Sequence, residues 1–144
     1  MAGNVLIVDG STTAGLRAQL ILEGAGYGVT LATDGDEGLV KALEEAPDLV
    51  VLDTVLPTGS GYEICGRLKI DPKTEHLPVV LAADEVELAA LKDQVGFHPE
   101  RFVAKPYDPT SLLPLVDEAI ARGNGHAGGS RKAGELDHAS FPAI

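Results

Sequence analysis

The chain has 144 residues, one cysteine (Cys65) and a formal net charge of −11 from 22 Asp+Glu against 11 Lys+Arg. That length fits one domain able to bury roughly two thirds of its unfolded surface without metal or disulfide support, and a lone thiol rules out an internal disulfide and suits the reducing cytoplasm. The acidic balance argues against nucleic acid as a direct partner, and no apolar run approaches the roughly 20 residues of a membrane span or the length of a signal peptide.

Five short apolar runs alternate with five segments of helical spacing. Val5–Val8 reads as a first buried strand. Thr13–Gly24 follows as a helix, with Leu16, Leu20 and Ile21 on its apolar side and Arg17 and Gln19 turned outward. Val29–Ala32 is the second strand. Asp34-Gly35 signals a turn into a helix over Asp36–Ala46, carrying Leu39, Val40 and Leu43 and closed by Pro47. Leu49–Leu52 is a third strand, continuous in Val and Leu, as expected when both faces are covered. Gly61–Lys69 gives a third helix bearing Ile64 and Leu68, and Val79–Ala82 a fourth strand. Glu85–Val95 gives a fourth helix with Val86, Leu88, Ala89 and Leu91. Phe102–Ala104 is the fifth strand. Asp108–Ala121 is the fifth helix, with Asp108 as N-cap and Pro109 in its first turn. Pro114 lacks a backbone N–H, so a kink or a later start near Ser111 is expected.

Strict βα alternation predicts an α/β fold: a doubly wound (βα)5, flavodoxin-like three-layer sandwich with a parallel sheet in the order 2-1-3-4-5. The domain is expected to cover residues 1–122. Residues 123–144 hold five glycines and no periodicity, and their charges cancel, so a flexible tail is expected there and the −11 belongs to the folded part.

In such a fold, chemistry gathers beyond the carboxyl ends of the strands. Asp9 follows the first strand, Asp53 the third, Ala83 and Asp84 the fourth, and Lys105-Pro106 the fifth. Two carboxylates can hold a hard divalent cation, a lysine can neutralise phosphoryl oxygens, and a carboxylate so placed can act as nucleophile. The glycines at 24, 26 and 28 precede a strand, which excludes a dinucleotide fingerprint. The four histidines lack metal-ligand spacing, and Cys65 lies among apolar residues as inert core.

In order, VLIVD at 5–9, DG at 34–35, PDLVVLD at 47–53, the Pro57-x-x-x-Gly61 turn, LPVV at 77–80 and KP at 105–106 make residues 4–122 resemble a response-regulator receiver domain of two-component signalling. The resemblance implies that Asp53 is the phosphoacceptor and that Lys105 contacts the phosphoryl group. It implies Asp9, Asp53 and the Val55 backbone carbonyl around Mg²⁺, a cis Lys105–Pro106 bond, and Phe102 at the place of a rotating switch aromatic. Such a module is not a conventional enzyme. It takes its phosphoryl group from a histidine kinase or phosphotransfer protein, at most catalysing its own uptake and loss. It signals to a downstream protein through the face of its fourth helix, fifth strand and fifth helix.

Two departures bear on this expectation. Gly10 stands where the family's second acidic residue ligates the metal, and Ala83 where a Ser or Thr hydroxyl meets the phosphoryl group. Weak or absent Mg²⁺ binding follows, unless Asp84 lends a carboxylate. The alternative is a pseudo-receiver, a phosphorylation-independent interaction module in which Lys105 pairs structurally with Asp53.

Overall fold

The computed structural model describes residues 3–125. Counting the strands of the large sheet in chain order, β1 (Asn4–Val8), β2 (Gly28–Ala32), β3 (Leu49–Asp53), β4 (Val79–Ala83) and β5 (Phe102–Ala104) run parallel in the order β2-β1-β3-β4-β5. Five helices connect or follow them: α1 (Thr12–Gly24), α2 (Gly35–Glu45), α3 (Gly61–Ile70), α4 (Glu85–Lys92) and α5 (Pro109–Gly125). This is the doubly wound architecture expected from the alternation.

Alternate residues of each central strand feed two cores. Val5, Ile7, Leu49, Val51, Val80 and Val103 pack against α1 and α5. Leu6, Val8, Val50, Leu52, Leu81 and Phe102 pack on the other face, against α2, α3 and α4. Both faces of β3 and β4 are therefore apolar, which explains why their sequences do not alternate.

The helices depart from the expected stripes. Helix α1 buries Gly15, Ala18 and Leu22, while Leu16 and Leu20 face solvent and Ile21 is half-buried. Close packing on the sheet favours small residues at the contact, so the larger leucines stay outside. Helix α2 likewise buries Gly35, Gly38 and Ala42 and exposes Val40 and Leu43. Helix α4 ends at Lys92, short of the expected Val95; it buries only Leu91 and leaves Val86 81% exposed.

Helix α5 starts at Pro109, not near Ser111, and runs through Pro114. Asp108 accepts the Thr110 N–H at 3.0 Å and secures that start. Pro114 is exposed, as is Thr110, the residue whose carbonyl the missing N–H would have met. Because α5 continues to Gly125, the expected boundary after Arg122 falls inside a helix. Residues 126–144 of the expected tail lie outside the described residues. Among the described residues, no helix is long and apolar enough to cross a membrane.

Candidate functional site

The carboxyl ends of β1, β3 and β5 bring Asp9, Asp53 and Lys105 into one buried cluster. Each β–α crossover turns immediately after its strand, so the last strand residue or the one following it must face the crevice. Asp9 follows β1, Asp53 is the last residue of β3, and Lys105 follows β5. Lys105 Nζ lies 2.9 Å from Asp53 Oδ2 and 2.9 Å from Asp9 Oδ2, so one ammonium bridges both carboxylates.

The two aspartates differ in how fully they are engaged. Asp9 Oδ1 accepts the Ser11 N–H at 2.8 Å and Lys105 Nζ at 3.1 Å. Asp9 Oδ2 accepts the Tyr107 hydroxyl at 2.9 Å and lies in ion-pair contact with Lys105 Nζ. Among the described residues, Asp53 accepts only Lys105 on Oδ2 and, on Oδ1, the Val55 N–H at 3.2 Å. Asp53 thus keeps lone pairs open beside a cation, as a nucleophilic carboxylate requires.

Burial pushes the Asp53 carboxyl above the ordinary aspartate range. The hydrogen bonds from Lys105 and Val55 oppose that shift, and the charge of Asp9 adds to it. Burial pulls Lys105 down, but its hydrogen bonds to Asp53 and Asp9 and their charges outweigh this and hold it above the ordinary lysine range. Lys105 therefore stays cationic at neutral pH.

Backbone features fix the position of Asp53. The Thr54 N–H donates to the Ala82 carbonyl and the Gly61 N–H to the Thr54 carbonyl, at 3.0 and 2.8 Å, so the β3–α3 turn folds back on the strand end. A Cβ at position 61 would lie 2.0 Å from the Asp53 carbonyl oxygen, so only glycine permits this approach. The Lys105–Pro106 bond is cis.

Mg²⁺ can be tested against these donors. Asp53 offers a lightly engaged oxygen and the Val55 carbonyl follows in the same turn, whereas the oxygens of Asp9 are taken by protein donors. Gly10 supplies no carboxylate, and a Cβ there would meet Pro57 Cδ at 2.9 Å. Among the described residues, no group of three or more His, Cys, Asp or Glu could hold a metal. The set fits a cation held through one carboxylate, a carbonyl and its own waters, a form that Mg²⁺ tolerates.

Ala83 is buried at the end of β4 and brings no hydroxyl, and its carbonyl accepts the Lys105 N–H at 2.9 Å. Asp84 does not lend its carboxylate to the cluster, because Oδ1 caps α4 through the Glu87 N–H at 2.8 Å. Phe102 is buried, with its ring stacked on Phe97 at a centroid distance of 5.3 Å. Cys65 is core, its thiol pushed up to about 11 mainly by burial.

Sequence reasoning missed two features. Tyr107, fully buried, closes the cluster through its hydroxyl. Its only sequence signal is a hydroxyl-bearing aromatic two residues after Lys105. The other is a clasp on Glu87, whose carboxylate accepts Thr54 Oγ1 at 2.6 Å and the Tyr62 hydroxyl at 2.7 Å. This ties α4 to the residue next to Asp53.

Comparison with known proteins gives the chain's family and fold. Residues 5–117 match the family model described as the response regulator receiver domain. The DNA-binding dual master transcriptional regulator RpaA of Synechocystis is 32% identical over 121 residues, covering 82% of this chain and 49% of RpaA. Protein PilH of Pseudomonas aeruginosa is 30% identical, covering 81% of this chain and 97% of PilH. The crystal structure of a response regulator receiver domain protein from Clostridium thermocellum superposes with a TM-score of 0.73 at 25% identity, covering 86% of this chain and 98% of that one. The chain spans about half the length of RpaA and of the regulators PhoB of Rhizobium meliloti and PhoP of Bacillus subtilis.

Proposed function

The chain belongs to the response regulator receiver domain family of two-component signalling, and we propose that within it Asp53 is the phosphoacceptor and Lys105 the cation that steadies the transferred group. Receiver domains are signalling phosphoacceptors, not conventional enzymes. They generally bind Mg²⁺ at the phosphorylation site, and they interact with histidine kinases and downstream effectors. The observation that carries the assignment is the contrast between the carboxylates: Asp53 retains open lone pairs beside Lys105, whereas Asp9 is fully engaged.

In the proposed step, an Asp53 oxygen attacks the phosphorus of a phosphohistidine on a histidine kinase or phosphotransfer protein. The O–P bond forms as the P–N bond breaks, and the imidazole leaves. Lys105 Nζ, already 2.9 Å from Asp53 Oδ2, follows the negative charge onto the phosphoryl oxygens. Asp9 is the second anchor of Lys105. Asp53 and the Val55 carbonyl would hold Mg²⁺, which when bound neutralises charge between the carboxylate and the incoming phosphoryl group.

Output is proposed to pass through the face formed by α4, β5 and α5. Exposed Val86 and the clasp between Glu87 and Thr54 support this reading, since they place an apolar side chain and a link to the acceptor loop on one short helix.

Beryllofluoride, which mimics an aspartyl phosphate, tests the proposal. With Mg²⁺ it should shift backbone amide signals of residues 53–55, Lys105 and α4 in the wild type and leave Asp53→Asn unchanged. No response in the wild type, or an equal response in Asp53→Asn, would remove Asp53 from the role.

A further inference from the structure

We infer that Tyr107 is a positioning residue that reserves Asp9 for Lys105 and keeps it out of the coordination sphere and hydration shell of Mg²⁺. An ionised carboxylate presents about four lone-pair sites. All four on Asp9 meet protein donors: the Ser11 N–H and Lys105 Nζ on Oδ1, the Tyr107 hydroxyl and Lys105 Nζ on Oδ2. Among the described residues, Asp53 meets only two. Tyr107 is 0% exposed, so its hydroxyl has no water to turn to and must spend its proton on Asp9.

The Tyr107 hydroxyl is also the removable member of this set. The Ser11 N–H is backbone, on the N-cap residue of α1, and Lys105 is shared with the acceptor. Removing the hydroxyl while keeping the ring takes one of its two donors from Asp9 Oδ2. That oxygen could then accept hydrogens from the waters of a cation held by Asp53. The inference rests on the reading of Asp53 and its carbonyl neighbour as the direct cation ligands. It adds that Gly10 is not alone in weakening the site, because Tyr107 withholds a carboxylate that is already present.

The test is a titration of the full chain with magnesium chloride alone, followed by carboxyl-carbon NMR, on the wild type and Tyr107→Phe. In the wild type the Asp53 carboxyl signal should move and that of Asp9 should stay. In Tyr107→Phe both should move, and half-saturation should fall roughly tenfold, at the low end of what outer partners of a metal ligand contribute. A gain in affinity is a readout that mere structural damage would not give. Binding by Tyr107→Phe where the wild type shows none would support the inference equally. Asp9 moving together with Asp53 in the wild type would overturn it, as would unchanged or weaker binding in Tyr107→Phe, or no binding in either. Should the variant fail to fold, the wild-type comparison of Asp9 with Asp53 decides alone. Phosphoryl labelling of Asp53 is scored separately, so loss of the acceptor assignment and loss of this inference give different results.

Discussion

Asp53 carries its charge in a setting that favours the protonated form, because burial outweighs the help from Lys105 and the Val55 N–H. Its folded pKa lies above the unfolded value. Its contribution to stability is therefore fully present below the unfolded value, about 3.9 for an aspartate, and lost as pH rises through the folded one. Asp53→Asn should accordingly melt higher than the wild type at neutral pH, with the difference shrinking as pH falls toward 4 or so; a thermal melt series over pH measures this. A lower melting temperature at pH 7 would mean that the ion pair with Lys105 outweighs desolvation. Lys105→Met makes the complementary case, since it strips the shared cation from two buried carboxylates. Urea denaturation at neutral pH should show a loss of about 3 kcal/mol or more, typical of breaking a buried pair by removing one partner. The loss should diminish in acid, where Asp53, its carboxyl raised by burial, protonates.

At the scale of elements, α4 is the helix least committed to the core. It has eight residues and a single buried one, Leu91; Leu88 packs on the core from its edge, and the Glu87 clasp adds two side-chain hydrogen bonds. Glu87→Ala should therefore speed amide hydrogen exchange across 85–92 while leaving α1 and α5 protected. Uniform acceleration in all helices would argue that the clasp supports the fold rather than the helix. Helix α2 ends with Ala46 at φ 47°, a left-handed conformation that glycine adopts without a Cβ penalty. Ala46→Gly should raise stability by about 0.5–1 kcal/mol in urea melts. The order of elements and the strand-end positions of Asp9, Asp53 and Lys105 were legible in sequence, because buried parallel strands read as unbroken Val/Leu runs. The faces of α1 and α2 were not. Hydrophobic spacing points to Leu16, Leu20 and Val40, but the sheet accepts Gly15, Ala18 and Gly38, where small size lets the helices sit close. The contact of Tyr107 with Asp9 was equally hidden. It joins the ends of β1 and β5 across 98 residues of sequence, and no local pattern marks it.

For the whole molecule, the net charge of −11 sets long-range self-repulsion against a fold whose acidic site already gathers two carboxylates. Raising sodium chloride from about 10 mM to about 150 mM shortens the Debye length from roughly 30 to 8 Å and should raise the melting temperature. A fall would show that attractive pairs such as Lys41–Glu37 and Arg122–Glu118 dominate the surface. The central claim is that Asp53 takes up the phosphoryl group, and the most direct measurement is to expose the chain to a small-molecule acyl phosphate with Mg²⁺, trap the product by borohydride reduction and map the modified peptide. Label is expected on Asp53 and none on Asp53→Asn. Label on another residue, or an unlabelled wild type beside a receiver domain that is labelled under the same conditions, would contradict that claim.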